Sequence, residues 1–357
     1  TKGQPVSVSK TKRNVLITSA LPYVNNEPHL GNLIGAVLSA DVYARFCRQM
    51  DYNTLYICGT DEYGTATETK ALLEKKTPKE ICDHYHHVHK AIYDNFDIDF
   101  DYFGRTSTEE HSRITQEIFM DCYQNGYMVR KSMKQLYCAH CQRFIADRFV
   151  IGRCPSVSCS FEKATGDQCD KCGGTFEANE LLDPKCFVCS NGVETRDSEH
   201  LFMDLEKVDG QLKDYVSRTT SDKSNMWTPN SVSITQGWFN TGLKARCITR
   251  DLKWGVPVPM TGFENKCFYV WFDAPIGYIS ITSCFLQKEW REWWQPKEDV
   301  ELVQFMGKDN VPFHTILFPS FLIAANKQWN LMSSISTTEY LNYEDANVIS
   351  ESAAKRL

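Results

Sequence analysis

Residues 14–45 read NVLITSALPYVNNEPHLGNLIGAVLSADVYAR. The stretch opens on Val15, Leu16, Ile17 and Thr18, a β-branched, apolar run that predicts a buried strand. A polar loop follows over residues 23–27. Pro28 then marks a helix start, since its fixed φ suits the first turn and its missing N–H is not needed there. Beyond it Leu30, Leu33, Ile34, Val37 and Leu38 recur at helical spacing. The reading is strand, loop, helix, with His29, Leu30, Gly31 and Asn32 at the helix entrance. Free N–H groups and the positive dipole end make such an entrance a phosphate site. Gly31 allows close approach to the backbone, and His29 offers a donor to a phosphoryl oxygen. A plain capping role competes with that reading. The stretch carries neither GxxxxGK[ST] nor GxGxxG, so P-loop and dinucleotide readings lack their fingerprint.

The chain has 357 residues, enough for a full core and more than one domain. It contains no long uncharged apolar run, so no transmembrane helix and no membrane partner is expected, and the basic, polar start is no signal peptide. A net charge of −6 does not advertise nucleic-acid binding, although a local basic surface is compatible with it. Fifteen cysteines in a chain of this size, without a secretion signal, point to metal and a reducing, cytoplasmic compartment.

A second strand is predicted over residues 53–58, ending in Gly59-Thr60-Asp61-Glu62-Tyr63-Gly64, and a helix over 65–76. This βαβ alternation is that of a parallel sheet, whose ligands bind at the carboxyl ends of the strands. His29 and Asp61 both fall at such ends. His84, His86, His87 and His89 lie in a predicted helix over 78–96 and read as a solvated face, not a metal site, because no carboxylate or cysteine context accompanies them. Val256-Pro257-Val258-Pro259 is extended by proline constraint. Residues 268–272 are predicted as an aromatic strand, and 302–306 as another, ending in Gly307-Lys308-Asp309-Asn310 with His314 close behind.

Residues 137–192 carry Cys138-x-x-Cys141, Cys154-(x4)-Cys159, Cys169-x-x-Cys172 and Cys186-x-x-Cys189. Four close pairs supply two tetrathiolate sites, for which zinc is the usual occupant. Spacing alone leaves sequential and nested pairing both open. A closed tetrathiolate site leaves no open position, so the metal is structural and contributes to folding a segment too polar for a large core. The fold class is therefore α/β: one parallel sheet interrupted by an inserted zinc-knuckle domain. The expected organisation is a disordered tail (1–13), the first half of the sheet domain (14–129), the insertion (130–248), the second half (249–335) and a trailing region (336–357).

Ala20-Leu21-Pro22-Tyr23 followed by His29-Leu30-Gly31-Asn32 resembles the first signature of class I aminoacyl-tRNA synthetases, and more narrowly the methionyl-tRNA synthetase family. Gly59 to Gly64, the run Tyr269-Val270-Trp271-Phe272-Asp273-Ala274-Pro275-Ile276-Gly277-Tyr278, and the run from Gly307 to His314 agree with it. So does the cysteine module between them. The resemblance covers about residues 13–344 and implies a Rossmann-like catalytic domain (14–129 and 249–335) carrying a zinc-knuckle connective domain as its insertion. It implies a methionine–tRNA ligase that joins methionine to ATP as methionyl-adenylate, releasing pyrophosphate, then passes methionyl to the 3′-terminal ribose at the acceptor end of tRNA(Met). Mg2+ and structural Zn2+, one or two ions, are implied as well. On this resemblance His29 and Asn32 are the catalytic pair, Asn32 standing where the broad signature has a second histidine. His29, Gly31, Asn32, Gly307, Lys308 and Asp309 bind ATP. Leu21, Tyr23, Asp61, Trp271, Pro275, Tyr278 and His314 form the methionine pocket, with aromatic faces around the thioether and Asp61 on the ammonium. The resemblance favours nested zinc pairing: Cys154, Cys159, Cys169 and Cys172 on one ion, Cys138, Cys141, Cys186 and Cys189 on a second. The family's second signature, a lysine-serine-lysine-serine loop, is expected after Glu344 but residues 345–352 read DANVISES; the expectation is either a catalytic-domain fragment without the anticodon-binding domain or a chain with an additional loop, absent from this sequence, at that signature. The competing readings are a zinc-containing RNA-binding or scaffold protein on a degenerate synthetase fold, without catalysis, and another class I synthetase or nucleotidyltransferase. The sequence names no partner in a multi-synthetase complex.

Overall fold

The computed structural model describes residues 7–145, 149–157, 159–166, 169, 171–172 and 178–339. Asn14–Ser19 is the centre of a five-stranded sheet. Asn53–Thr60 and then Tyr102–Arg105 lie on one side, Val300–Gly307 and then Ser334–Thr338 on the other. Every pairing is parallel, with Leu16 between Leu55 and Leu302. All six residues of Asn14–Ser19 are buried. Leu16, Leu55 and Leu302 face one core with Phe272, Ile276 and Phe321, while Val15, Ile17 and Val303 face another with Val37, Ala40 and Ala44. Cover on both faces explains a continuous apolar run in place of alternation. Strand order reverses between Asn14–Ser19 and Val300–Gly307, where a doubly wound sheet opens a crevice at its carboxyl ends.

The first helix begins at Leu30, with His29 as its N-cap and Pro28 outside it. It passes through a π-helical stretch, Leu33–Leu38, into Ser39–Gln49. The π stretch was not expected; within it Gly35 lies so close to the edge strand that a Cβ there would stand 2.4 Å from Thr338 Oγ1. Thr65–Glu74 and Pro78–Asn95 fall where predicted, the latter opened by a Thr77–Glu80 capping box.

Three expectations are corrected. Residues 268–272 are not a strand: Cys267–Phe268 is, and Val270–Leu286 is a helix. Phe272, Ile276 and Ile279 are buried at helical spacing, and an apolar run without alternation does not tell strand from helix. The histidine cluster is not one solvated face. His84 and His87 are exposed, whereas buried His89 meets Asn26 O at 3.0 Å and His86 meets Thr60 Oγ1 at 2.8 Å. Of the expected tail, residues 1–6 lie outside the described residues, but 7–13 are anchored. Asn53 Nδ2 donates to Ser7 O at 2.9 Å, and Arg13 forks onto Glu301 at 2.5 and 2.6 Å.

Between the sheet halves, Met128–Cys138 and Glu194–Met203 form a long antiparallel arm. At its end a small sheet of Ala164–Thr165, Val150–Arg153 and Leu182–Cys186 carries the cysteine module, whose core of Leu136, Ile145, Phe149, Val150 and Leu181 is completed by four cysteines. The chain returns along the edge of the main sheet, where Ile335 N–H donates to Met226 O at 2.7 Å. Among the described residues no helix is long and apolar enough to cross a membrane. Residues 345–352, the expected place of the lysine-serine-lysine-serine loop, lie outside the described residues.

Candidate active site and metal centres

The crevice at the strand reversal is walled by the loop after Asn14–Ser19. Ala20 N–H donates to Phe305 O at 2.9 Å, Asp61 N–H to Pro22 O at 2.9 Å, and Val24 N–H to Asp61 O at 3.3 Å. The loop is thus stitched to both neighbouring strands, which fixes Leu21 and leaves Tyr23 half-exposed. At the helix entrance His29 Nδ1 accepts from Asn32 N–H at 3.3 Å, and Asn32 Oδ1 accepts from His29 N–H at 3.2 Å. The capping role is therefore present, and Gly31 is required by it: a Cβ would stand 2.9 Å from the His29 ring. This entrance touches the Val300–Gly307 strand. The end of that strand is open, a Cβ at Gly307 meeting nothing within 4 Å. Lys308 reaches away to Glu339, Nζ to Oε2 2.7 Å.

Trp271, Pro275 and Tyr278 stand on the helix Val270–Leu286 at spacings of four and three, Trp271 partly exposed and the other two buried. Trp271 packs edge-on against Phe313, ring centres 5.0 Å apart. Tyr278 Oη lies 2.8 Å from His314 Nε2, and His314 Nδ1 lies 2.7 Å from Asn310 O. The carbonyl can only accept, so Nδ1 carries the proton and Nε2 takes the tyrosine hydroxyl's. Burial pushes His314 down to about 4, which keeps it neutral. Gly277 makes this packing close: a Cβ would stand 2.7 Å from Leu21 Cδ1 and 2.9 Å from Thr106 Cγ2.

Asp61 is buried, and its Oδ1 has no hydrogen-bond partner. Burial, then the charges of Asp273 and Glu62, hold its carboxyl well above the usual range. A buried carboxylate oxygen left unpaired is suited to a cationic donor. Asp61 also bears on buried Tyr278, whose hydroxyl is pushed up by burial first and by Asp61 among nearby charges.

Of the expected residues, Leu21, Asp61, Tyr278 and His314 lie close together, and His29, Gly31 and Asn32 adjoin the strand that ends in Gly307. Lys308 is turned toward the edge strand. Residues not singled out beforehand support the floor. Glu62, fully buried, takes Arg105 Nε on both oxygens (2.9 and 3.0 Å) and Thr60 Oγ1 at 2.9 Å. Asp273, also fully buried, meets His111 Nε2 at 3.3 Å, and His111 Nδ1 meets Ser280 Oγ at 2.8 Å. An acidic residue inside an otherwise apolar run was the available signal for Asp273.

In the insertion the cysteines gather as two sets, Cys138, Cys141, Cys186 and Cys189, and Cys154, Cys159, Cys169 and Cys172, the sulfurs of each set within 4.8 Å of one another. The nested arrangement is the one present. Sulfur separations of 3.4 and 3.9 Å in the first set and 3.7 and 3.8 Å in the second match the edge of about 3.8 Å for four thiolates at about 2.3 Å from zinc. Both sets could hold zinc.

The chain is 57% identical over 344 residues to the cytoplasmic methionine–tRNA ligase of Arabidopsis thaliana, covering 96% of this chain and 43% of that protein. It is 56% identical to the human cytoplasmic enzyme, covering 96% and 37%. It therefore spans less than half the length of these relatives. Methionyl-tRNA synthetase of Mycobacterium tuberculosis, solved with methionyl-adenylate bound, shares the fold: TM-score 0.67 at 19% identity, covering 94% of this chain and 60% of that one. The family model for tRNA synthetases class I (M) matches residues 15–355. With the strand reversal, the crevice and the nested cysteine sets in place, the chain belongs to the class I tRNA synthetases of the M group.

Proposed function

We propose that this chain carries the site at which methionine and ATP react to methionyl-adenylate and pyrophosphate, and from which methionyl passes to the 3′-terminal ribose of tRNA(Met). The single observation that carries the reading is the unpaired, buried Asp61 Oδ1 beside an apolar and aromatic wall that ends in the Tyr278–His314 pair. An α-amino acid offers an ammonium for Asp61, and a thioether suits the polarisable contacts of Leu21, Trp271, Pro275, Tyr278 and His314. Tyr23 closes the outer side. No nucleophile from the protein is needed: the substrate carboxylate attacks the α-phosphorus, and catalysis is positioning and electrostatic stabilisation. His29, Gly31 and Asn32 offer ring, amide and backbone donors to the phosphates; Gly307 and Asp309 receive the adenosine. Lys308 joins the phosphates only by leaving Glu339.

Mg2+ belongs to this proposal as the companion of ATP. Among the described residues no carboxylate or histidine cluster of three gathers to hold it, so it would ride on phosphate oxygens. Zinc in both cysteine sets would be structural. Cytoplasmic residence follows the relatives named so. Calorimetric titration tests the pocket. Methionine should bind at least tenfold tighter than leucine, and Asp61→Asn should abolish methionine binding. Equal affinity for the two amino acids would refute the assignment.

A further inference from the structure

Asp61 and Glu62 are both buried and lie just beyond the strand Asn53–Thr60, so their backbone groups need partners from outside its ladder. They find them on several separate elements. Asp61 N–H donates to Pro22 O and Asp61 O accepts from Val24 N–H, as described above, while Glu62 N–H donates to Thr106 Oγ1 at 3.0 Å. The last group, Glu62 O, accepts the indole N–H of Trp254 at 2.7 Å, with the Cys82 thiol a weaker donor at 3.5 Å. Trp254 stands 192 residues further along the chain, its ring edge-on to Tyr63 with centres 5.3 Å apart.

Trp254 is itself held. Its backbone N–H and that of Lys253 both donate to Glu68 Oε1, at 2.8 and 3.1 Å, and Glu68 is a buried residue of the helix Thr65–Glu74. The same segment also lies on the root of the helix Val270–Leu286. Cys267 Sγ donates to Leu252 O at 3.3 Å, Phe268 N–H donates to Val256 O at 2.8 Å, and a Cβ at Gly255 would stand 2.7 Å from Cys267 Cβ. Two residues after Phe268 the chain enters that helix, which carries Trp271 and Tyr278. Residues 252–256 therefore join the turn that bears Asp61 to the helix that bears the aromatic wall.

We infer that Trp254 is a positioning residue for amino-acid binding: its indole N–H, with Glu68 behind it, sets the separation between the Asp61 carboxylate and the wall of Trp271 and Tyr278. This rests on the amino-acid-binding reading above. An α-amino acid is held at two points, its ammonium and its side chain, so the distance between the two grips selects side-chain length as well as affinity. Packing against Tyr63 needs only the ring. The N–H, bonded to the carbonyl of the residue beside Asp61, makes the contact a brace, and a phenylalanine separates the two roles.

The test is calorimetric titration of the chain with methionine, with its longer S-ethyl homologue ethionine, and with ATP. Trp254→Phe keeps the ring and removes the N–H, leaving Glu62 O with the thiol alone. It should bind methionine about ten- to a hundredfold more weakly and lose part of the preference for methionine over ethionine, with ATP affinity unchanged. Glu68→Ala frees the segment from behind and should reproduce that pattern, whereas Glu68→Gln keeps the Oε1 acceptor and should bind as the parent does. Unchanged methionine affinity in Trp254→Phe, or equal weakening of methionine, ethionine and ATP, overturns the brace while leaving the pocket standing. Should Trp254→Phe fail to fold, the glutamate pair decides: Glu68→Ala that binds methionine as tightly as Glu68→Gln overturns it as well. Failure of the parent chain to bind methionine at all would sink the amino-acid reading itself and this inference with it.

Discussion

Gly277→Ala perturbs the proposed pocket without touching a polar group. The added methyl would stand 2.7 Å from Leu21 Cδ1 and 2.9 Å from Thr106 Cγ2, where ordinary contact begins at 3.4 Å, so about 0.7 and 0.5 Å of relief are needed. Thr106 cannot give: its Oγ1 accepts from Glu62 N–H at 3.0 Å, and its own N–H donates to Thr60 O at 3.1 Å. The relief must come from Leu21 turning into the crevice or from the helix moving off the sheet. Overpacking of this size costs about 1–3 kcal/mol of stability. A wall displaced by most of an ångström weakens productive binding about ten- to a hundredfold. Thermal melting and methionine-dependent ATP–pyrophosphate exchange, with KM for methionine as the readout, check both numbers. A variant that melts and binds as the parent does would show that Leu21 is not held against this helix, and the pocket geometry would be wrong.

Tyr278→Phe leaves His314 Nε2 a buried acceptor without a donor, a cost of about 1–3 kcal/mol, and should weaken methionine relative to leucine in a binding titration. His314 is depressed to about 4 in the fold against about 6.5 unfolded, so its contribution is complete above about pH 6.5 and is lost as pH falls toward 4, up to about 3 kcal/mol. Denaturant midpoints across that window should fall on the acid side, and the fall should be smaller in His314→Gln, the remainder coming from His86, which burial also pushes down to about 4. Removing zinc with a chelator, or replacing Cys141 and Cys159 with serine, should collapse the knuckle sheet, whose buried core is about one-third cysteine, while the parallel sheet keeps its protection in hydrogen exchange. Metal analysis should give two zinc ions per chain. Glu62→Ala removes the buried carboxylate that receives Arg105 and Thr60, leaving half-buried Arg105 its second partner Asp83 at 2.8 Å, and should cost about 1–3 kcal/mol by chemical denaturation.

What the sequence made readable was whatever has a local cause. Val15 to Thr18 and residues 302–306 are buried on both faces, so their apolar runs announce central strands. The helix over 78–96 is readable as a local segment, and the structure adds the Thr77–Glu80 capping box that opens it. Cysteine spacing announces two tetrathiolate sets but not their partition, which depends on the arm that folds Cys186 and Cys189 back onto Cys138 and Cys141. The failures share one cause. Residues 268–272 are apolar throughout and hold no period to separate strand from helix; burial against Phe321 and Phe119 decides it. His86 and His89 turn inward because the Thr60 and Asn26 acceptors happen to lie there, which no local pattern records.

The central claim, that this crevice activates methionine, is tested most directly by methionine-dependent ATP–pyrophosphate exchange on the purified chain beside Asp61→Ala. The account predicts label exchange that requires methionine, is not supported by leucine, and is lost in the variant while its melting profile stays cooperative. Exchange that proceeds equally with leucine, or persists in Asp61→Ala, would contradict it.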